Sequence, residues 1–316
     1  MSSTLIKNPV VLETIKKYLT IREKEKKDFG EVFTPLELIY DMLSKLPPKV
    51  WKNPNLKWLD PSTGIGNFSI VVYYKLMVSL ENVSGYKNKE TRSKHIIEKM
   101  IYMVELNPVN VKICKKIFKL IDPNAKPNIR KISFFKYKLP SDIVQFDIIM
   151  GNPPFQKKVG PSKSEPIWHL FVINSIKNYL KKNGYLVFVH PSGWRNIRGR
   201  FREVFELVQK LNLKYLTMRT FEDGVNIFGG AGTNFDYYCL KNTPNKNNKT
   251  IINDIDRENH KINLNNYIFI PSGEYKLYNK LLALNNEEKV HILHSDMDYE
   301  TRLTRATFPI SHTKKG

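Results

Sequence analysis

The 316-residue chain has little cysteine: two residues, Cys114 and Cys239. So few exclude a disulfide framework and a cysteine-built zinc site. Cys114 falls on a helical pattern and Cys239 on a strand pattern, so both read as buried thiols of a reducing cytoplasm. Long apolar runs are also missing. Nothing approaches the roughly 20 residues that cross a bilayer, and the start Met1-Ser2-Ser3-Thr4 has no secretory pattern, so no membrane partner is expected. Negative charge is scarce: 30 Asp and Glu stand against 51 Lys and Arg, a net +21. Such an excess favours a polyanion, which sheds counterions when cations bind it. Lys and Asn are abundant throughout, however, so only clusters carry weight. They are Arg22 to Lys27, then Lys157, Lys158 and Lys163, then Arg195, Arg198, Arg200 and Arg202.

Apolar patterning predicts helices near Val10 to Arg22 and Leu36 to Leu46. Strands and helices then alternate from Lys57 to Leu211, the signature of a parallel, doubly wound sheet covered on both faces. Lys57-Trp58-Leu59 runs into Asp60-Pro61-Ser62-Thr63-Gly64-Ile65-Gly66-Asn67-Phe68 and a helical stretch from Ser69 to Leu80. This strand, glycine turn and helix would let backbone approach a cofactor. The third spaced glycine of a dinucleotide fingerprint is absent, which argues against NAD. The next strand, Ile101 to Val104, ends in Glu105, where a carboxylate can accept both hydroxyls of a ribose. An acid is expected about 20 residues after such glycines, so the polar stretch Glu81 to His95 reads as an insertion.

The strand Phe146 to Met150 delivers Gly151-Asn152-Pro153-Pro154-Phe155 to its carboxyl end. An Asn152 side-chain oxygen and a Pro153 carbonyl could each accept one N–H of a planar amine and so aim its lone pair at an electrophile. Pro154 restricts the backbone of Pro153, and Phe155 offers a ring face on which a base can stack. The same residues also suit a proline-stiffened turn with a core Phe.

Taken in order, these segments resemble the amino-group DNA methyltransferases that use S-adenosylmethionine, in particular the adenine-N6 enzymes of restriction-modification systems with gamma-like motif order. The resemblance covers about residues 29 to 240. It implies a Rossmann-like methyltransferase fold with a terminal antiparallel hairpin, formed by Tyr215 to Arg219 and Phe235 to Leu240. Between those strands, Asp223-Gly224-Val225 and the glycines after it would form a loop near the substrate. The resemblance further implies that Gly30-Glu31-Val32-Phe33-Thr34-Pro35 closes over the methionine end of the cofactor. Cofactor contacts would come from Glu31, Phe33, Thr34, Asp60, Ser62, Gly64, Gly66, Asn67, Phe68, Glu105, Leu106 and Asn152. Asn152, Pro153, Pro154 and Phe155 would be catalytic. Relatives commonly place an Asp after the third strand, near Asn128 to Ile132; here Ser133 and Phe134 would meet the cofactor's adenine instead. Lys157, Lys158, Lys163, Arg195, Arg198 and Arg200 are the candidate DNA contacts.

The expected division is an amino-terminal helical segment (1–28), a catalytic domain (29–241), a polar linker (242–250) and a partial target-recognition region (251–316). The last region, with its helix-like Glu274 to Leu284, is short for reading several base pairs, so double-stranded DNA is the expected partner with a separate recognition or nuclease subunit beside it. No acidic-lysine nuclease cluster stands out in this chain. Cytosine-N4, RNA or protein glutamine as the methyl acceptor remain open, as does a non-catalytic DNA-binding or recognition subunit.

Overall fold

A computed structural model describes residues 9–15, 17–18, 34–160, 163–228 and 232–281. Its frame is a nine-stranded sheet in the order β11-β10-β8-β9-β7-β4-β1-β2-β3. The strands are β1 (Trp58–Asp60), β2 (Ile101–Glu105), β3 (Asn128–Lys131), β4 (Phe146–Gly151), β7 (Leu180–Pro191), β8 (Leu211–Arg219), β9 (Phe235–Pro244), β10 (Lys249–Asn253) and β11 (Asn259–Asn263). From β3 to β7 all neighbours are parallel. β9 then inserts antiparallel between β7 and β8. Strands β1, β2 and β4 are buried almost throughout, as expected of strands covered on both faces. Their carboxyl ends lie on one edge, which in open α/β sheets is where ligands bind.

The helices take their positions from their apolar faces. Residues 9–15 are helical (α1). α2 (Leu36–Ser44) buries Leu38, Ile39, Met42 and Leu43 along one side. α3 (Asn67–Ser79) is buried on every side over residues 67–73, and its Gly66 cap has φ +102°. A side chain at Gly66 would also meet the Cys114 Sγ at 2.9 Å, so this turn requires glycine. α5 (Pro108–Ile121) starts with Pro108 behind Asn107, whose side chain accepts the Val109 N–H at 2.9 Å. It buries Val111, Cys114, Ile117 and Phe118. Both cysteines are free and buried, and burial pushes the Cys239 thiol up to about 12.

The polar stretch Glu81 to His95 is structured. Asn88 caps α4 (Lys89–His95), and Arg92, buried, donates to the carbonyls of Tyr86 and Lys87 at 2.6 and 2.9 Å. Asp223-Gly224-Val225 lie within α8 (Phe221–Phe228) rather than in a loop; Gly229, Gly230 and Ala231 are outside the described residues. The division expected near Leu240 also moves. β9 runs on to Pro244, and the Asn-rich segment behind it is a turn into β10, which pairs parallel with β8. Asn245 ties this turn down by donating to the Gln209 carbonyl at 3.1 Å. The hairpin β10–β11 buries Thr250, Ile252 and Ile262, and Tyr267–Ile270 docks on residues 195–197, with the Ile270 N–H bonded to the Arg195 carbonyl at 2.8 Å. The first compact unit accordingly extends to Gly273. Of the second unit, α9 (Tyr275–Leu281) is described; residues 282–316, most of the expected recognition region, are outside the described residues.

Among the described residues no helix is long and apolar enough to cross a membrane.

Candidate active site

The ends of β1, β2, β3 and β4 open into one cleft of about 680 Å³. The loop after β1 is folded by its own backbone: the Thr63 N–H bonds to the Val104 carbonyl at 3.0 Å and the Gly66 N–H to the Thr63 carbonyl at 2.8 Å. Gly64, at φ +56°, turns its N–H to Glu105 Oε2 at 2.8 Å, while the Asn107 N–H meets Oε1 at 2.7 Å. Glu105, at the end of β2, therefore holds two loops together. Asn67 donates to the Thr34 carbonyl at 3.1 Å, which joins the Thr-Pro stretch to the glycine turn. Glu31 and Phe33 lie outside the described residues.

Asn152, Pro153, Pro154 and Phe155 line the same cleft as Ser62, Gly64, Asn67, Phe68, Glu105, Leu106 and Ser133. The Asn152 carbonyl accepts the Ser62 hydroxyl at 3.2 Å, and the Phe155 carbonyl accepts the Ile167 N–H at 3.1 Å. The Pro153 carbonyl between them accepts no hydrogen bond among the described residues, so it remains available to a substrate amine. Phe155 is half-buried and meets the buried Phe228 edge-on, with ring centroids 6.2 Å apart.

Asp60 and Gly66 stand behind the cleft wall, not in it. Asp60 is 1% exposed, and burial pushes its carboxyl up to about 7 against the hydroxyls of Thr63 and Ser69 and the Ser62 N–H, which favour the ionised form. Phe134 lines the cleft but is 2% exposed and stacks on Phe171 with centroids 5.3 Å apart. Its neighbour Phe135, 42% exposed, presents more ring to the cleft. Sequence reasoning missed Phe135, as it missed Asn107, Pro108 and Val109. Asn107-Pro108 was a readable helix start directly after Glu105, whereas only packing separates Phe134 from Phe135.

The basic clusters divide. Lys157 and Lys158 lie on β5 (Gln156–Lys158), paired with β6 (Ser164–Pro166) in an exposed ribbon that follows the tetrapeptide, and Lys157 reaches the cleft. Lys163 sits 3.7 Å from Glu165 in an exposed pair. Arg198 and Arg200 are exposed beyond the end of β7. Arg195 is not an open cation for DNA: its side chain is 11% exposed and its Nε lies 3.2 Å from the fully buried Asp236, which also accepts the Trp194 indole N–H at 2.9 Å. A buried carboxylate needs such a partner. Arg22 to Lys27 fall outside the described residues.

The sequence profile of the N-6 DNA Methylase family matches residues 13–188, which spans the whole cleft. The chain belongs to this family. A curated Mycoplasma pneumoniae protein described as an uncharacterised adenine-specific methylase is 38% identical over 79 residues, 24% of this chain and 18% of the relative. Among solved structures, a type I restriction enzyme modification subunit from Vibrio vulnificus YJ016 aligns with TM-score 0.58 at 16% identity, over 76% of this chain and 50% of the subunit. A class I S-adenosylmethionine-dependent methyltransferase from Listeria monocytogenes gives TM-score 0.52 at 14% identity, over 75% of this chain and 69% of that one. The alignments thus span a small part of the curated relative and half of the Vibrio subunit. At these identities the solved structures establish the fold, a Rossmann-like methyltransferase sheet.

For this family member, the residues fit S-adenosylmethionine. Leu106, Val109 and Phe135 are large apolar side chains left 68, 50 and 42% exposed within one cleft, a surface suited to a purine ring. The carboxylate residue Glu105 stands at its edge, and the positive-φ glycine turn lies beside the tetrapeptide.

Proposed function

We propose that the chain methylates the N6 amino group of adenine in double-stranded DNA, using S-adenosylmethionine, as the modification part of a restriction-modification system with a separate recognition or nuclease subunit. The observation that supports this reading is the shared cleft: the tetrapeptide, the acid and the apolar wall suited to a nucleoside line the same space.

When bound, S-adenosylmethionine supplies an electrophilic methyl group on sulfur. Glu105 would hold the ribose hydroxyls, and Leu106, Val109 and Phe135 would line the adenine side. The target base must leave the duplex, because its amino group is otherwise committed to a base pair; Phe155 stacks on the extruded ring. The Asn152 side-chain oxygen and the Pro153 carbonyl accept hydrogen bonds from the two amino N–H groups and stabilise the positive charge that develops on nitrogen. A methylated ring ammonium is strongly acidic, so its proton passes to solvent without a dedicated base. Lys157, Lys158, Arg198 and Arg200 serve the phosphates around the cleft mouth, a charge-driven contribution that weakens with salt.

The test is methyl transfer from tritiated S-adenosylmethionine to adenine-rich duplex DNA, followed by nucleoside analysis. N6-methyladenine is expected, with at least a hundredfold loss in Asn152→Ala. Label in cytosine, or transfer to RNA or protein offered in parallel assays but none to DNA, would redirect the substrate assignment, and undiminished transfer by Asn152→Ala would remove the tetrapeptide from the mechanism.

A further inference from the structure

We infer that Ser62 is a positioning residue for the methyl acceptor, linking the cofactor loop to the tetrapeptide, rather than a cofactor ligand. The inference rests on the methyltransferase reading above. Its hydroxyl donates to the Asn152 carbonyl at 3.2 Å, across ninety residues of sequence. That carbonyl lies in the peptide plane between Asn152 and Pro153, whose two Cα atoms bear the acceptors of the amine: the Asn152 side chain at one end and the Pro153 carbonyl at the other.

The tetrapeptide has few other freedoms. Proline rings fix φ at Pro153 and Pro154, and each proline confines the residue before it to extended backbone. The far end is tied by the bond from the Ile167 N–H to the Phe155 carbonyl. What remains is the orientation of this stiff arc relative to the loop after β1, and Ser62 supplies the tie on that side. The tie has its own support. The Ser62 N–H donates to Asp60 Oδ1 at 3.3 Å, and the same oxygen lies where a side chain on Gly151 would stand, 3.1 Å from an ideal Cβ. Gly151, at φ +154°, leaves that space open. Asp60, Ser62 and Gly151 thereby close the gap between the ends of β1 and β4.

A small misalignment of a reacting pair is costly: about 1 Å can remove a hundredfold in rate. Loss of the Ser62 hydroxyl should therefore act on the chemical step. The experiment compares wild type, Ser62→Ala and Ser62→Thr in single-turnover methyl transfer, with S-adenosylmethionine affinity measured by titration calorimetry and hydrogen exchange followed at the amides within 151–156, those of Gly151, Asn152, Phe155 and Gln156. Ser62→Ala is expected to slow single-turnover transfer at least tenfold at saturating cofactor. Its cofactor Kd should stay within twofold, and exchange at 151–156 should rise. Ser62→Thr, which keeps the hydroxyl, should restore both rate and protection to within threefold of wild type. A Kd that weakens in proportion to the rate would make Ser62 a cofactor ligand and overturn the inference, as would an unchanged rate and exchange in Ser62→Ala. If wild type itself transfers no methyl group, the broader reading fails, and the exchange data still decide whether Ser62 ties down the tetrapeptide.

Discussion

Glu105 is asked to do two things with one carboxylate. It holds the N–H groups of Gly64 and Asn107 at 2.8 and 2.7 Å, and it is the proposed acceptor for the ribose. Glu105→Gln keeps the shape but turns one acceptor oxygen into a donor, which would face an N–H or fail to accept a hydroxyl. Hydrogen bonds to charged groups contribute about 1.5–3 kcal/mol each, so cofactor Kd is expected to weaken at least tenfold, with less than a threefold change in rate at saturating cofactor. Calorimetry with S-adenosylmethionine reads the first and single-turnover assays the second; unchanged affinity would count against the ribose role. Residues of this kind were legible in the sequence because strand ends and contiguous motifs announce them. Arg195 was not, because its charge is spent on Asp236, a residue of another strand. Nor was the difference between Phe134 and Phe135, which depends on Phe171 stacking on Phe134, with Tyr179 beside it, while it meets Phe135 only edge-on.

At the scale of elements, the alternation of strands and helices specified β1, β2 and β4 well, since strands covered on both faces read as apolar runs, whereas the exposed ribbon β5–β6 carries no such run. The far side of the sheet was harder to read. Asn and Lys in the segment after β9 suggested a linker, yet those residues make a turn, and the strands beyond it bury every second side chain: Thr250 and Ile252 in β10 alternate with the more exposed Ile251 and Asn253. A polar outward face lowered the average hydropathy and hid the alternation. The consequence can be tested by ending the chain at Pro244. This would strip the β8 edge at Tyr215, Leu216 and Thr217 of its parallel partner and remove Ile252 and Ile262 from the core. Each such side chain contributes about 1.5–3 kcal/mol by burial, and an open edge invites aggregation. A fall in Tm of roughly 10 °C or more, with concentration-dependent association, is expected by scanning fluorimetry and light scattering. An unchanged Tm would restore the boundary near residue 241.

For the whole molecule, three of the buried groups among the described residues, Asp60, Asp236 and His190, shift toward the neutral form and pull the dependence of stability on pH in opposite directions. The carboxyls of Asp60 and Asp236 are raised to about 7 and about 6, chiefly by desolvation. Raised carboxyls favour the folded state while they hold their protons; that contribution is complete below the unfolded value near 4 and is lost as pH climbs through 6 and 7. His190, stacked on Trp168 at 4.3 Å, is lowered to about 3 by burial. It favours the folded state while neutral, and this contribution is lost as pH falls from 6.5 toward 3. Each is of the order of a few kcal/mol. Below about pH 4.5 the formal charge of +21 grows further as exposed carboxylates protonate, which adds self-repulsion to the acid side. Between about pH 4 and 6 the two carboxyls lose stability faster than the single imidazole restores it, so the ligand-free protein should be most stable near pH 4.5–5, at the upper edge of the acid self-repulsion. Asp60→Asn, which cannot ionise, should flatten the alkaline side without moving the acid side. Melting curves from pH 4 to pH 9 at constant ionic strength would read both effects. A wild-type Tm that rises steadily up to pH 8, or an Asp60→Asn profile parallel to wild type from pH 5 to 8, would mean that Asp60 is hydrated or paired and titrates as an ordinary carboxylate.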